Sequence, residues 1–553
     1  GSACVLLMGL TLGLSFSYYH TLSAQAVAAL PAKLIPFEPI VPSYRPFSRM
    51  IEGIAAYVTG RTQIELDKRR EALAGLESPT MRAVMNETMR YHLCGIMLYT
   101  VAAVETVRDP RAGLRRIVQM ETDSPFMTFG AWQLRLLAHV HECNALDAQA
   151  CLERMETASV QDATVTRQLL HASGLQPLAA AYALAGDILG VKSMIDKLEP
   201  FAQTLQSWRP FLDAARATYH MLRGQLDLAR GLAERAALGT TAGQHRGYAF
   251  ATLSLVRVQL EQHDDARAHA TAREALELTR AHELGPELEA QLCALDGLAL
   301  ARLGDSAQSR QCGVQALSIA HKAGLAGLLL GEIERLLARA AVVNHEVAAF
   351  ERHAAAVAEH TCGHEHPVLL SRYKRLLSDA TEAGLSYNVE RAGAATLHHN
   401  TDLRTRLMAE LGRSSIVRSL PQRVLDLMIE RAGVSAGFLF ELEGEALRLR
   451  APDDAEVPAG LVDALSACLA AEHAVASRGA HDTMTATRTS IVRLDDEQLF
   501  QVAVLHVMGD DGVPRAAGAI ALRVRESLPA IPRWDCVLAL STVLKEEPTV
   551  RRL

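Results

Sequence analysis

The sequence predicts a mainly α-helical protein: a long solenoid of stacked helical hairpins, followed by a smaller α/β domain with an antiparallel sheet. Three observations lead to this prediction. The 553 residues are 49% hydrophobic but only 5% aromatic, and alanine, leucine and arginine dominate, so long stretches are typical of helix formers. A turn followed by a helix recurs about every 40 residues, which indicates a repeat architecture. Near residue 436 the apolar spacing changes to the alternation of strands.

Composition also restricts the function. The formal net charge of -7 is small for this length, and binding to nucleic acid phosphates needs clustered lysine and arginine. We therefore expect no nucleic acid partner. The 9 cysteines are scattered and form no C-x-x-C pair. This usage favours reduced, mostly buried thiols and a cytoplasmic location.

Residues 1–46 form an apolar segment and a proline-rich connector. The segment at residues 3–22, ACVLLMGLTLGLSFSYYHTL, has no positively charged start, unlike a secretory signal. Its strongly apolar part ends near Leu14, which is short for a membrane span. We expect a buried helix whose covering partner lies upstream, and no membrane contact. The prolines between Pro31 and Pro46 predict an extended segment lying against the next domain.

Four segments define the repeat. They are GDILGVKSMIDKLE, GQLDLARGLAERAA, HDDARAHATAREAL and GDSAQSRQCGVQAL, and their starts are 38, 39 and 41 residues apart. Each begins at a turn, carries a small or short residue five places on and an apolar residue twelve places on. These starts and paired positions are Gly186 with Val191 and Leu198, Gly224 with Ala229 and Ala236, His263 with Ala268 and Ala275, and Gly304 with Ser309 and Ala316.

The pattern recurs outside these four segments. It is present at Gly60, with Ala72 twelve places on, and weaker copies start near Arg108 and Cys143. A further copy starts at Asn344, and its paired positions are Ala349 and Ala356.

The repeat has the chemistry of a helical hairpin. Glycine at the turn ends the first helix without steric cost, and small residues let the second helix approach its neighbours. One hairpin cannot bury its own apolar face, so hairpins stack. The Gly-Asp turn, the alanines at the two crossing positions and the aromatic Tyr182 resemble tetratricopeptide repeats over residues 47–385. This resemblance implies a solenoid that binds a protein partner or a neighbouring domain; a non-repeating helical domain is the alternative.

The C-terminal part reads as a linker and a second domain. Residues 386–401 are small and polar, and residues 402–431 predict a long amphipathic helix. The elements predicted after this helix are a hairpin at 436–451, a helix at 458–476, strands at 488–494, 500–508 and 516–524, and a closing helix at 534–545. Residues 547–553 are a tail. The lead helix into AGFLFEL and the pair FQVAVLHV and AAGAIALRV resemble a GAF domain over residues 402–546. This resemblance implies small-molecule sensing or homodimerisation through residues 403–428.

Two clusters are candidate sites, and no cofactor is expected apart from zinc at the first. His360, Cys362, His364 and His366 place imidazole and thiol ligands at alternate positions, a set that could bind zinc. The alternative is a polar loop that ends a helix before Pro367. The string GDILGVKS lacks the Gly-Lys-Ser order of a P-loop, and we interpret it as a hairpin turn.

The second cluster is aromatic. It consists of Trp208, Arg209, Phe211 and Tyr219. These residues are either anchors for a protein partner or core between hairpins, and the scarcity of aromatics favours core.

The functional hypothesis is a non-catalytic regulatory region. The order of solenoid and GAF-like domain resembles the C-terminal part of large bacterial signalling proteins that carry a Ser/Thr kinase or NTPase domain upstream. Two alternatives stay open: a metal-dependent enzyme using the His360 cluster, and an effector-binding transcription regulator of the maltose-activator type. The latter class ends in a basic helix-turn-helix domain, whereas this chain ends in an α/β domain.

Overall fold

The protein is mainly helical, as predicted. The computed structural model describes residues 24–34, 38–118, 125–144, 147–155 without 149 and 153, 165–361, 367–393, 419–432, 434–444, 446–452, 455–477, 491–494, 498–508 and 514–524. The apolar segment at residues 3–22 lies outside the described residues. Among the described helices, none combines the length and the apolar character that crossing a membrane requires.

Within the described residues, the helical part has eighteen helices with defined bounds, and they pack as consecutive hairpins. They are α1 (Ala24–Leu34), α2 (Arg45–Thr59), α3 (Thr62–Leu76), α4 (Pro79–Val84), α5 (Glu87–Arg108), α6 (Pro110–Val118), α7 (Pro125–His141), α8 (Val165–Ala185), α9 (Ile188–Thr204), α10 (Arg209–Leu222), α11 (Leu226–Leu238), α12 (Tyr248–Glu261), α13 (Asp265–Ala281), α14 (Pro286–Arg302), α15 (Ser306–Lys322), α16 (Gly327–Val343), α17 (Val347–Thr361) and α18 (Pro367–Glu382). The first helices of successive hairpins, α8, α10, α12, α14 and α16, also contact one another in turn. The helical repeat region is therefore confirmed.

The repeat positions have the predicted environment. All eight paired positions of the four defining segments are buried. The turns at Gly186, Gly224 and Gly304 have φ values of 70°, 73° and 86°, the left-handed region where glycine carries no steric penalty. His263 takes the same place with φ 59°. Local periodicity therefore located the hairpins and their tight interfaces.

One repeat is shifted by a residue. The left-handed turn is at His345, with φ 56°, and not at Asn344. Counting from His345, the two crossing positions are Phe350 and Val357, and both side chains are buried. The predicted Ala349 and Ala356 are only partly buried.

The proline-rich connector is not simply extended. Pro31 lies inside α1, and α1 packs on α2. Val27 of α1 is buried, which offsets the cost of a proline within a helix. Pro46, also predicted to be extended, lies instead in the first turn of α2, where proline is tolerated because its missing N–H would have no helical partner.

The segment after α18 belongs in part to the solenoid. The Tyr387 hydroxyl donates a hydrogen bond to the Leu377 carbonyl over 3.0 Å, and the Tyr373 hydroxyl donates to the Ala392 carbonyl. Residues 386–393, predicted as linker, therefore cap the last helices. The rest of the predicted linker, residues 394–401, lies outside the described residues.

The C-terminal domain is an α/β sandwich. Its elements are α19 (Leu420–Ala432), β1 (Gly437–Glu443), β2 (Ala446–Ala451), α20 (Leu461–Ser477), β3 (Ile491–Arg493), β4 (Leu499–Met508) and β5 (Pro514–Val524). The strands are antiparallel in the order β2-β1-β5-β4-β3. On one face Leu439 packs with α19, and on the other Phe438 and Phe440 pack with α20, as the alternation along a strand requires. The predicted antiparallel sheet is confirmed, while residues 402–418 and 534–545 lie outside the described part.

Candidate functional site

The solenoid contains a cavity of about 190 Å³ that is partly open to solvent. Its wall comes from helices far apart in sequence and is mainly apolar. The lining residues include Tyr57, Glu65, Tyr99, Val104, Leu137, His141, Pro177, Leu184, Arg246, Phe250, Leu253, Arg257, Glu287, Leu288, Gln291 and Leu329. Concave, mostly apolar spaces with a few convergent polar groups are the usual form of ligand sites.

Arg246 joins the first hairpin to the middle of the solenoid. It lies in the turn before α12, and its Nη1 donates to Oε2 of Glu65 in α3 over 3.1 Å. Its guanidinium lies over the Tyr57 ring at 3.6 Å from the centroid, a cation–π geometry. Its Nε donates to Gln176 over 2.7 Å. Three helices thus converge on one side chain.

Glu287 makes a second connection between distant repeats. It lies in the first turn of α14 and forms a salt bridge with Arg108 at the end of α5. The Thr62 hydroxyl donates to Glu287 Oε2 over 2.9 Å. Gly285, with φ 112°, permits this approach, because a Cβ atom there would lie 2.0 Å from Thr62 Oγ1.

A backbone contact completes the closure. The amide of Ala326, just before α16, donates to the Arg108 carbonyl over 2.7 Å. The early helices thereby contact the late helices, and the solenoid closes on itself around the cavity.

A group of arginines lies behind one wall. Arg257 lines the cavity, donates to Gln291 over 3.0 Å and lies 3.9 Å from Glu332. Glu332 also binds Arg335 at 2.8 Å and Arg372 at 2.9 Å. Burial alone would raise the pKa of Glu332, but Arg335 and Arg372 hold it far below its usual range. Burial, together with Arg335, lowers the pKa of Arg372 to about 10.

Two polar atoms of the cavity wall lack partners. His141 at the end of α7 is 2% exposed, and burial lowers its pKa to about 4, so the ring is neutral at pH 7. Its Nδ1 and the Nε of Arg257 have no hydrogen-bond partner among the described residues. Buried polar atoms are nearly always paired, but these two atoms have almost no accessible surface, so they do not themselves face the open space of the cavity. A neutral imidazole and a guanidinium that line the cavity can bind and orient a ligand in it.

The aromatic cluster lies in the core. Trp208, Phe211 and Tyr219 are buried, and the rings of Trp208 and Phe211 are 5.5 Å apart between centroids. Arg209 is exposed. The three aromatic side chains therefore match the core alternative and do not form an open surface for a partner.

The candidate metal cluster lies mostly beyond the described residues. His360 is in the last turn of α17 and partly exposed, while Cys362, His364 and His366 lie outside the described part. Within that part, no group of three or more potential ligand side chains is placed to hold a metal ion. The string GDILGVKS is a hairpin turn, in which Asp187 accepts a hydrogen bond from the Gly190 amide over 2.9 Å.

Sequence reasoning missed the charged residues of the cavity. One signal was available: Glu65 stands five places after Gly60, where the defining repeats have valine, alanine or serine. A charged side chain at a repeat position that is otherwise buried and uncharged requires a partner of opposite charge.

Comparisons with known proteins give little further information. No protein-family model matches the chain, and no curated protein matches it. One similar solved structure is described as a Rap protein complexed with competence and sporulation factor; it has 10% sequence identity and a TM-score of 0.46, covering 66% of this chain and 99% of that one. At this score the similarity does not bear on function.

Proposed function

We propose that this chain is a non-catalytic regulatory region of a signalling protein, whose solenoid binds a small effector in its central cavity. The observation that carries the proposal is the cavity itself, closed by contacts between repeats about 180 residues apart. Concave apolar walls with a few convergent polar groups are features of a binding site.

The proposed mechanism is a shift in closure. An effector in the cavity would touch α3 from the first hairpin and α12 and α14 from later ones. A ligand that contacts both sides binds the closed state better than an open one, and therefore shifts the population toward closure. A change in closure would alter the outer surface of the solenoid, which we propose binds a protein partner or a neighbouring kinase or NTPase domain.

The C-terminal domain fits the same role. Its order of helix, hairpin, helix and three strands agrees with the GAF-like interpretation, and supports small-molecule sensing or homodimerisation as its task. We propose that solenoid and C-terminal domain act together in the cytoplasm as a receiver of chemical signals.

Hydrogen–deuterium exchange of the whole chain tests the effector proposal. The small-molecule fraction of the cells that make this protein should slow exchange in α3, α12 and α14. Ala249→Trp, which fills the cavity from α12, should abolish this protection. Ala270→Trp, on an exposed site of α13, is the matched control and should retain it. Protection that is absent in the wild type, or unchanged in Ala249→Trp, would contradict the proposal.

A further inference from the structure

We propose that the ligand of the central cavity is a small organic anion, with one carboxylate and an apolar body about the size of one aromatic ring. This inference rests on the proposed effector site and assigns its chemical class. It follows from the charge balance around the cavity, the position of Arg257 and the cavity volume.

The salt-bridge network at the cavity contains more arginines than carboxylates. Arg246 and Arg257 line the cavity together with Glu65 and Glu287, and the other four arginines are joined to the wall through their salt bridges. Six guanidinium groups are joined by salt bridges to only three carboxylates. The arginines are Arg69, Arg108, Arg246, Arg257, Arg335 and Arg372, and the carboxylates are Glu65, Glu287 and Glu332.

The next carboxylates do not restore the balance. Glu261 is paired with Arg339 at 2.9 Å, and Asp379 is paired with Arg375 at 2.7 Å. Each of these two carboxylates is therefore already neutralised by its own arginine. Buried charge without a counter-charge is unfavourable, so an anion in the cavity would stabilise this arrangement.

Arg257 marks where the anionic group would bind. Among the arginines that share Glu332, it is the one that lines the cavity. Its Nη2 is bound to Gln291, and Glu332 is 3.9 Å away, so its charge is only loosely neutralised by protein groups. A carboxylate accepting from the Arg257 guanidinium where it lines the cavity would form a charge-assisted hydrogen bond in a low-dielectric site.

The neighbouring residues fit an apolar body. Phe250 and Leu253 precede Arg257 by seven and four places on α12, so the three side chains lie on one helix face. Leu288 precedes Gln291 by three places on α14. A carboxylate at Arg257 therefore leaves the rest of the ligand along leucine and phenylalanine side chains.

The volume limits the size of this body. A cavity of about 150 Å³ holds benzene, and the present cavity is about 190 Å³. A single ring with a short acid chain therefore fits within this volume.

Calorimetric titration of the intact chain at pH 7.5 tests the inference with two probes of equal shape. The probes are 3-phenylpropanoate and its neutral amide, 3-phenylpropanamide. We expect the acid to bind at least about tenfold more tightly, because a buried charge-assisted pair is lost with the amide. Arg257→Met should remove this preference. Arg310→Met, which removes an exposed arginine bound to Glu346, should leave it unchanged.

The outcomes separate this inference from the proposed function. Equal affinity for acid and amide in the wild type would overturn the anion assignment without need of any variant, as would acid preference that survives Arg257→Met. If the cell fraction protects α12 and α14 but neither probe binds, the assigned class is wrong and the effector site stands. If neither the fraction nor the probes bind, both proposals are overturned.

Discussion

The interfaces between neighbouring hairpins and the wall of the central cavity are built from different residues. Between hairpins the crossing positions hold small, uncharged side chains such as Ala229, Ala236 and Ala268, all buried. At the cavity the equivalent position of the first hairpin holds Glu65, which reaches Arg246 in a distant repeat. Stacking therefore depends on the small crossing residues that the repeats have in common. The cavity depends on residues such as Glu65 that replace them in a single repeat.

This difference predicts different sensitivities. A position between helices that holds a small side chain tolerates little increase in side-chain volume, because protein interiors are close-packed. A buried ion pair instead tolerates little loss of charge, because the remaining partner is left uncompensated. The following predictions test the two regions in turn.

The largest effect is expected for Glu332→Gln. The change leaves Arg257, Arg335 and Arg372 without their shared carboxylate, and breaking a buried pair costs about 3–5 kcal/mol. Urea unfolding followed by far-UV circular dichroism measures this loss. Glu346→Gln, which breaks the exposed pair with Arg310, should cost at most about 1 kcal/mol; equal effects would mean that the arginine group is solvated.

The next effect concerns pH. The pKa of His141 is about 4 in the folded chain and 6.5 for the unperturbed group, so the unfolded chain binds the proton first as the pH falls. Stability should be unaffected by His141 above pH 6.5, and should fall by about 3 kcal/mol in total between pH 6.5 and 4.

Thermal unfolding at pH 7.5 and pH 4.5 checks this. His141→Gln, neutral at both values, should lose less stability than the wild type between them. An equal loss in both proteins would show that His141 titrates normally and is open to water.

A moderate effect is expected between hairpins. Ala268→Leu adds volume at a fully buried crossing position of α13 and should destabilise the chain by about 1–3 kcal/mol. Ala270→Leu, two residues away and exposed, is the matched control and should be nearly neutral. A tolerated Ala268→Leu would argue against close packing at this position.

The smallest effect is expected at a turn. Gly304 has φ 86° and open space around its Cα, so Gly304→Ala meets backbone strain without a clash and should cost about 1 kcal/mol. His345 already accepts a similar conformation with φ 56°, and His345→Gly should change stability by less than that. Comparison of the two unfolding midpoints in urea shows whether the turns constrain the repeats equally.

The sequence predicted the repeats because their signals are local. A turn residue and two crossing positions lie within thirteen residues, and their burial follows from helix geometry. The one-residue shift at His345 arose because asparagine and histidine both accept left-handed turns, and because Ala349 and Ala356 match the small-residue pattern one position before the buried Phe350 and Val357. Helical structure at Pro31 depended on packing against α2, which no local pattern reports.

The cavity could not be predicted in the same way. Arg108 and Glu287 are 179 residues apart, and Glu65 and Arg246 are 181 apart. The local sequence around each residue does not indicate its partner, because closure depends on the accumulated twist of the intervening hairpins. Only the charge at Glu65, in a position that must be buried, indicated a long-range contact.

A double-mutant cycle on Arg108 and Glu287 tests the closed solenoid most directly. The wild type, Arg108→Met, Glu287→Gln and the double variant are unfolded in urea as intact chains, and the coupling free energy is obtained from the four values. Closure around the cavity predicts a coupling above about 1 kcal/mol, as for close, desolvated charge pairs. Additivity within about 0.5 kcal/mol would show that the two residues do not meet in solution, and closure of the solenoid around the cavity would be contradicted.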